Sequence, residues 1–142
     1  MDLNAPALVK RLRSLSTDTK RTILAKACAF SAARLGEMDP TLSELMNEVQ
    51  LNGGLTRDQA ATAVSFAAAA NKKCFDLEES DAPRNEWIKP FSEARLAQAI
   101  AEAFAPDAED EAAALYELLK SLDHGSGLEE FVEQEINAVQ PA

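Results

Sequence analysis

The chain has 142 residues, of which 46% are hydrophobic, and its 24 acidic and 14 basic side chains give a formal net charge of −10. This length corresponds to one domain with room for a hydrophobic core, so we predict a single helical domain over residues 1–142. Two cysteines are too few for a disulfide framework, and one histidine is too few for a histidine-based metal site. We expect neither a metal nor a cofactor.

The charge is distributed very unevenly along the chain. Residues 1–36 carry seven basic side chains against two acidic ones, which gives a net charge of +5. Residues 101–142 carry eleven acidic side chains against one basic one, which gives a net charge of −10. A field polarised in this way steers binding partners but does not determine the fold.

Helix start and stop signals recur along the whole sequence. Polar residues that can act as N-caps precede the segments with helical periodicity, and glycine or proline follows most of them. These N-cap candidates are Asn4, Ser16 or Thr17, Asp39 and Asp107. No window combines β-branched residues with strict alternation. The predicted helices cover approximately 4–13, 16–35, 39–52, 57–78, 92–104, 107–122 and 128–139. The sequence therefore predicts an all-α fold, a mixed or orthogonal bundle of about six to seven short helices.

The helix predicted at about 57–78 has the most unusual composition. Thr56 and Gln59 have the spacing of a capping box at its start, and residues 60–70 contain no charged side chain. A helix that is apolar on every side is normally buried on every side, so we predict that this Ala-rich segment is the central helix of the bundle. The open alternative is that the alanines form a dimer interface, which would make the protein a homo-oligomer.

Residues 79–91 form the longest predicted irregular stretch, because Pro83 and Pro90 each disfavour helix in the residue before them, which leaves room for one helical turn between the two prolines. Trp87 lies in this connection. Tryptophan is enriched at binding hot spots, and irregular segments on a rigid scaffold often carry function, so Trp87 is a candidate partner-binding residue. The alternative is that its ring fastens the connection to the core.

Acidic residues of the C-terminal third are the other candidates for partner binding: Asp110, Glu111, Glu129, Glu130 and Glu133. Helical periodicity assigns the final three to the solvent side of the last helix. Such a surface attracts a basic protein by electrostatic steering and then buries a few anchoring side chains. We therefore predict a small acidic interaction domain that binds, and can inhibit or neutralise, a basic protein partner, as immunity proteins, antitoxins and inhibitors do.

Two other classes of function are alternatives. One is a regulatory module whose basic N-terminal helices contact nucleic acid through Arg11, Arg13 and Arg21. Against it, no aromatic residue lies among these cations for base stacking, and a chain of net charge −10 repels phosphate. Docking of the basic helices beside acidic ones within the fold is a simpler use of the same cations.

The second alternative is an enzyme that uses carboxylates without a recognisable motif. The sequence contains no catalytic or cofactor motif, and its only histidine, His124, lies in a predicted turn. We therefore predict that the protein is not an enzyme.

The sequence also predicts a cytoplasmic protein. No apolar run approaches the roughly 20 residues that a membrane-spanning helix needs. The first residues lack the basic and then apolar pattern of a signal peptide. Cys28 and Cys74 are predicted to be buried free thiols, which fits a reducing compartment.

Overall fold

A computed structural model of the chain describes residues 5–121 and 127–139. The predicted all-α bundle is confirmed, because these residues form seven α-helices and one short 3₁₀ helix and contain no strand. The helices are α1 (Ala5–Arg13), α2 (Thr17–Leu35), α3 (Pro40–Asn52), α4 (Arg57–Glu79), α5 (Arg84–Phe104), the 3₁₀ helix (Glu111–Ala113), α6 (Ala114–Ser121) and α7 (Leu128–Val139). None of these helices combines the length and the apolar character that a membrane span requires.

The capping residues expected from the sequence begin three of the helices. The side chains of Ser16 and Asp39 accept hydrogen bonds from backbone N–H groups in the first turns of α2 and α3. At α4, the Gln59 N–H donates to Thr56 Oγ1 at 3.1 Å, and the Thr56 N–H donates to Gln59 Oε1 at 2.8 Å, which completes the predicted capping box. Gly53 ends α3 in the left-handed conformation with a φ of 70°.

α5 occupies the centre of the bundle. It contacts α2, α3, α4, α6 and the 3₁₀ helix, and 11 of its 21 residues are buried. Leu96, Ile100 and Phe104 are among the large side chains that are fully buried. The main hydrophobic core therefore forms around the C-terminal half of α5.

The prediction that the Ala-rich helix is buried on every side is wrong. α4 packs mainly on α5, and its opposite side faces solvent. The buried face is a narrow row of small side chains, Ala60, Ala63, Ala67, Ala70 and Cys74. Alanine is the best helix former, but burial of one CH₂ or methyl group contributes only about 0.8 kcal/mol, so an Ala-rich helix forms readily with little force to bury its outer side.

The predicted irregular stretch at 79–91 is also much shorter in the structure. α5 begins at Arg84 and continues through Pro90, which leaves only residues 80–83 to connect α4 and α5. A proline inside a helix costs about 3 kcal/mol, because it lacks the N–H donor and its ring crowds the preceding turn. Pro90 is itself buried, and the burial of the following residues of α5 offsets this cost.

The C-terminal helices match the prediction in part. α7 buries Leu128, Val132 and Ile136, as the helical spacing predicts. Asp107 does not begin a helix, because the chain stays irregular until the 3₁₀ helix and α6 follow it. The predicted turn at His124 and the N-cap at Asn4 lie outside the described residues.

Candidate functional site

Glu111 is the buried acidic residue of a charge cluster between the 3₁₀ helix and α2. Its side chain is only 7% exposed, and its two carboxylate oxygens lie 3.6 Å from Lys20 Nζ and 3.6 Å from Arg21 Nε. A buried carboxylate needs such partners, because removing an unpaired charge from water costs several kcal/mol. This burial corrects the inclusion of Glu111 among the partner-binding residues, since its carboxylate contacts the chain's own cations.

Asp110 is paired with Arg13 at the surface. Arg13 Nε and Nη2 donate to the two carboxylate oxygens of Asp110 at 3.1 and 2.8 Å, and both side chains are about half exposed (50% and 47%). The hydrogen bond and the charge of Asp110 raise the pKa of Arg13. Asp110 can still be reached from solvent, but its charge is already matched.

The edge of α7 that faces α1 and α2 is held by two polar contacts. Lys26 Nζ donates to Glu135 Oε1 at 3.0 Å, and Arg11 Nη2 donates to Asn137 Oδ1 at 2.6 Å. Together with the pairs of Asp110 and Glu111, these contacts join the basic N-terminal helices to the acidic C-terminal third. The basic N-terminal helices therefore dock against the acidic C-terminal third within the fold.

The same contacts engage all three arginines predicted to touch nucleic acid. Arg11 binds Asn137, Arg13 binds Asp110, and Arg21 lies against Glu111. A phosphate ligand would have to compete with these contacts, two of which are ion pairs. The arginines do not form an unoccupied basic stripe.

The outer side of α7 carries acidic residues without such partners. Glu130 and Glu133 are exposed and Glu129 is half-buried, and among the residues that the structure describes none of the three forms an ion pair. Glu129 and Glu133 stand four residues apart, so they lie on one side of the helix. We call these three residues the α7 acidic face.

Trp87 lies in the second turn of α5, not in a loop. Its ring packs edge-on against Phe91 with 6.1 Å between ring centroids, and the Arg84 guanidinium lies 5.9 Å from the ring centre. Neither ring belongs to the main core or to the partly buried side chains packed against it. Trp87 therefore does not fasten a connection to that core, and it remains a half-buried aromatic residue near the start of α5.

The outer side of α4 presents an apolar surface that the sequence prediction had placed in the interior. Val64 is 51% exposed and Phe75 is 61% exposed, Ala68 is exposed between them, and Ala61 is exposed one turn before Val64. A groove of about 330 Å³ runs beside the first half of this surface, between α4 and the end of α5. Its lining includes Arg57, Ala61, Val64, Gln98, Ala101, Glu102 and Ala105.

Groups with altered acidity are few in the structure. Partial burial raises the pKa of Glu102 in the α4–α5 groove, although a hydrogen bond from Gln98 opposes the shift. Burial raises the pKa of the Cys28 thiol to about 12, and burial with the neighbouring Glu78 raises the pKa of Cys74. Among the described residues, no set of three or more His, Cys, Asp or Glu side chains is arranged to hold a metal ion.

The predicted partner-binding residues do not meet at one site. α7 packs on α1 and α2, and Asp110 lies beside α1, whereas Trp87 stands near the start of α5, the helix that runs beside α4. The chain matches no protein-family model, no curated protein and no solved structure.

Proposed function

We propose that this chain is an acidic interaction domain that binds a basic protein partner through the α7 acidic face and blocks the surface it covers. Immunity proteins, antitoxins and inhibitors of basic active surfaces act in this general way. The observation that supports the proposal is the pairing of the N-terminal cations within the fold. Arg13, Lys20, Arg21 and Lys26 pair with other acidic residues, so among the described residues the exposed Glu130 and Glu133 and the half-buried Glu129 have no ion pair.

The electrostatic argument follows from where the basic residues lie. Arg13, Lys20, Arg21 and Lys26 of α1 and α2 pair with Asp110, Glu111 and Glu135, so these four cations do not neutralise Glu129, Glu130 or Glu133. α7 itself carries four acidic residues and no basic one. An exposed acidic helix on a chain of net charge −10 speeds the encounter with a basic surface and disfavours acidic competitors.

The same proposal assigns the chain to the cytoplasm and to binding instead of catalysis. Both cysteines are free and buried, which suits a reducing compartment. The partner is expected to be a protein with a basic patch, because the face offers carboxylates at helical spacing and Arg or Lys side chains pair with them.

The test compares charge reversal on the α7 acidic face with the same change elsewhere. The test variant carries Glu129→Lys, Glu130→Lys and Glu133→Lys, and the control carries Glu37→Lys, Glu44→Lys and Asp58→Lys. All six positions are exposed or half-exposed, and both variants change the net charge by the same six units. Each tagged protein is used to capture partners from lysate of the source cell at low and physiological salt, and circular dichroism checks that both variants fold.

The proposal predicts that the natural chain and the control recover the same basic protein and that the α7 variant loses it. With the purified partner, association should be at least about tenfold slower for the α7 variant than for the control. Equal association rates for the two variants, or a recovered partner without a basic surface, would contradict the proposal.

A further inference from the structure

The exposed side of α4 has a symmetric sequence. Seven exposed residues lie in one stripe along the helix: Arg57, Ala61, Val64, Ala68, Lys72, Phe75 and Glu79. Their spacing is four, three, four, four, three and four residues, which keeps them on one side of a helix with 3.6 residues per turn. The spacing reads the same in both directions from Ala68. We call this row the α4 stripe.

We infer that the α4 stripe pairs with the α4 stripe of a second copy of this chain, in antiparallel orientation, with the two-fold axis at Ala68. A two-fold interface brings one patch against the same patch of the partner, so the patch has to be self-complementary. The spacing of the α4 stripe meets that condition. The small side chain of Ala68 at the axis allows the two helices to approach closely there.

Side-chain size favours the antiparallel arrangement. Pairing about Ala68 places Phe75, the largest residue of the stripe, against Ala61 of the other copy. It also places Val64 against the aliphatic stem of Lys72 of the other copy. A parallel pair would instead bring Phe75 against Phe75 and Ala61 against Ala61, which leaves one end overfilled and the other empty.

The charges at the two ends of the stripe agree with this orientation. Arg57 begins the stripe and Glu79 ends it, so the antiparallel pair forms an Arg57–Glu79 contact at each end, whereas a parallel pair sets like charges together. α4 as a whole carries three basic and four acidic residues. Two copies of a chain of net charge −10 can therefore meet here on a nearly neutral surface.

The groove beside the stripe provides a site for the aromatic ring. Arg57, Ala61 and Val64 form its α4 side, and Ala101 and Ala105 belong to α5 and its end. The antiparallel pair directs Phe75 of the second copy to Ala61, at this groove. Four of its ten lining residues are alanines, and its volume of about 330 Å³ leaves room for a phenyl ring. The most exposed aromatic side chain on α4 thus has a receiving surface on the other copy.

The first test is sedimentation velocity of the full chain at physiological salt, from about 1 µM to 1 mM, because a contact along one helix of about 33 Å is small and the dimer is expected to be weak. We expect a concentration-dependent dimer, and Phe75→Glu should raise its dissociation constant at least about tenfold. Val139→Glu is the matched control, because Val139 is 52% exposed on α7 and lies outside the stripe. It should leave the dimer unchanged.

The second test uses the symmetry axis. In an antiparallel pair about Ala68, an Ala68→Cys variant brings two thiols together, and mild oxidation should form a covalent dimer. Ala69→Cys is the control, since Ala69 is an exposed alanine of the same helix that points about 100° away from Ala68. The natural cysteines are both buried and should not contribute.

The third test exchanges the terminal charges. Arg57→Glu alone and Glu79→Arg alone should each weaken the dimer, because each places like charges together at its ends. The double variant should restore the dimer, because positions 57 and 79 then again carry opposite charges.

Several results would overturn the inference. They are a chain that stays monomeric over the whole range, a dimer that Phe75→Glu does not affect, equal cross-linking of the Ala68 and Ala69 variants, or no recovery in the double charge variant. If the chain stays monomeric while Phe75→Glu abolishes binding of the basic partner, the stripe belongs to that partner and self-pairing is also overturned.

Discussion

Burial decides how much each ion pair contributes to this fold. Arg13 and Asp110 have the better geometry, with two hydrogen bonds, but both side chains are half exposed, and exposed pairs contribute little because water and salt screen them. Glu111 has longer contacts with Lys20 and Arg21, yet its carboxylate is buried. Loss of the compensating charge is costly only at the buried site.

This difference predicts unequal effects of two similar substitutions. Glu111→Gln leaves two partly buried cations without their counter-charge and should lower the free energy of unfolding by about 2–3 kcal/mol. Asp110→Asn should lower it by less than about 1 kcal/mol. Urea unfolding followed by circular dichroism measures both values. Equal losses for the two variants would contradict the assignment of Glu111 as the structural member of the pair.

The cysteines provide a prediction about reactivity. Burial raises the pKa of Cys28 to about 12, so at pH 8 almost none of this thiol is ionised in the folded chain, and burial with the neighbouring Glu78 also raises the pKa of Cys74. We expect no rapid reaction with Ellman's reagent under native conditions. The thiols should react at the rate of unfolding, and both should react at once in denaturant. A fast native reaction that Cys74→Ala removes would show that Cys74 is accessible.

At the scale of the helices, the sequence correctly predicts the features that depend on residues close together in the chain. The caps at Ser16, Asp39 and Thr56 form hydrogen bonds within one turn, and the helix starts that they mark are where the sequence predicts them. α5 begins earlier than the sequence predicts because packing along α5 overrides the local effect of Pro90. The position of α4 was missed because burial depends on competition between helices, and α5 offers larger apolar side chains than α4 does.

For the candidate surfaces too, the sequence predicts local features but not those that depend on packing between helices. Periodicity within α7 predicts that Glu130 and Glu133 face solvent, and they do. The burial of Glu111 could not be predicted in this way, because Lys20 and Arg21 lie some ninety positions earlier in the chain. The exposure of the α4 stripe could not be predicted either, because it depends on which side of α4 packs against α5. The open alternative of an alanine interface was the only sequence signal for it.

The one-sided packing of α4 predicts opposite tolerance at neighbouring alanines. Ala67 is buried toward the core and Ala69 is exposed. Ala67→Leu should lower the free energy of unfolding by about 1–3 kcal/mol, because the added atoms have no room. Ala69→Leu should change it by less than about 0.5 kcal/mol. Chemical denaturation at low protein concentration compares the two. A central α4, buried on all sides, would make both substitutions equally harmful.

The whole molecule combines an acidic face on α7 with a nearly neutral stripe on α4, and salt should affect the two in opposite directions. Binding of a basic partner to α7 is an attraction between unlike charges, so higher salt should weaken it. Pairing of two chains through α4 has to overcome the repulsion between two bodies of net charge −10, so higher salt should strengthen it. The terminal Arg57–Glu79 contacts are exposed, so salt screens them as well.

The triple substitution on the α7 acidic face separates these effects in one protein. With Glu129, Glu130 and Glu133 changed to Lys, the net charge falls from −10 to −4, while every residue of the α4 stripe stays in place. This variant should lose the basic partner and yet dimerise more tightly than the natural chain at about 10 mM salt, where the Debye length is about 30 Å. At about 150 mM salt the two dimers should become similar, because screening then shortens that length to about 8 Å. Sedimentation velocity at both salt concentrations measures this. A natural-chain dimer that weakens steadily as salt rises would mean that the paired terminal charges, not the screened repulsion, control its stability.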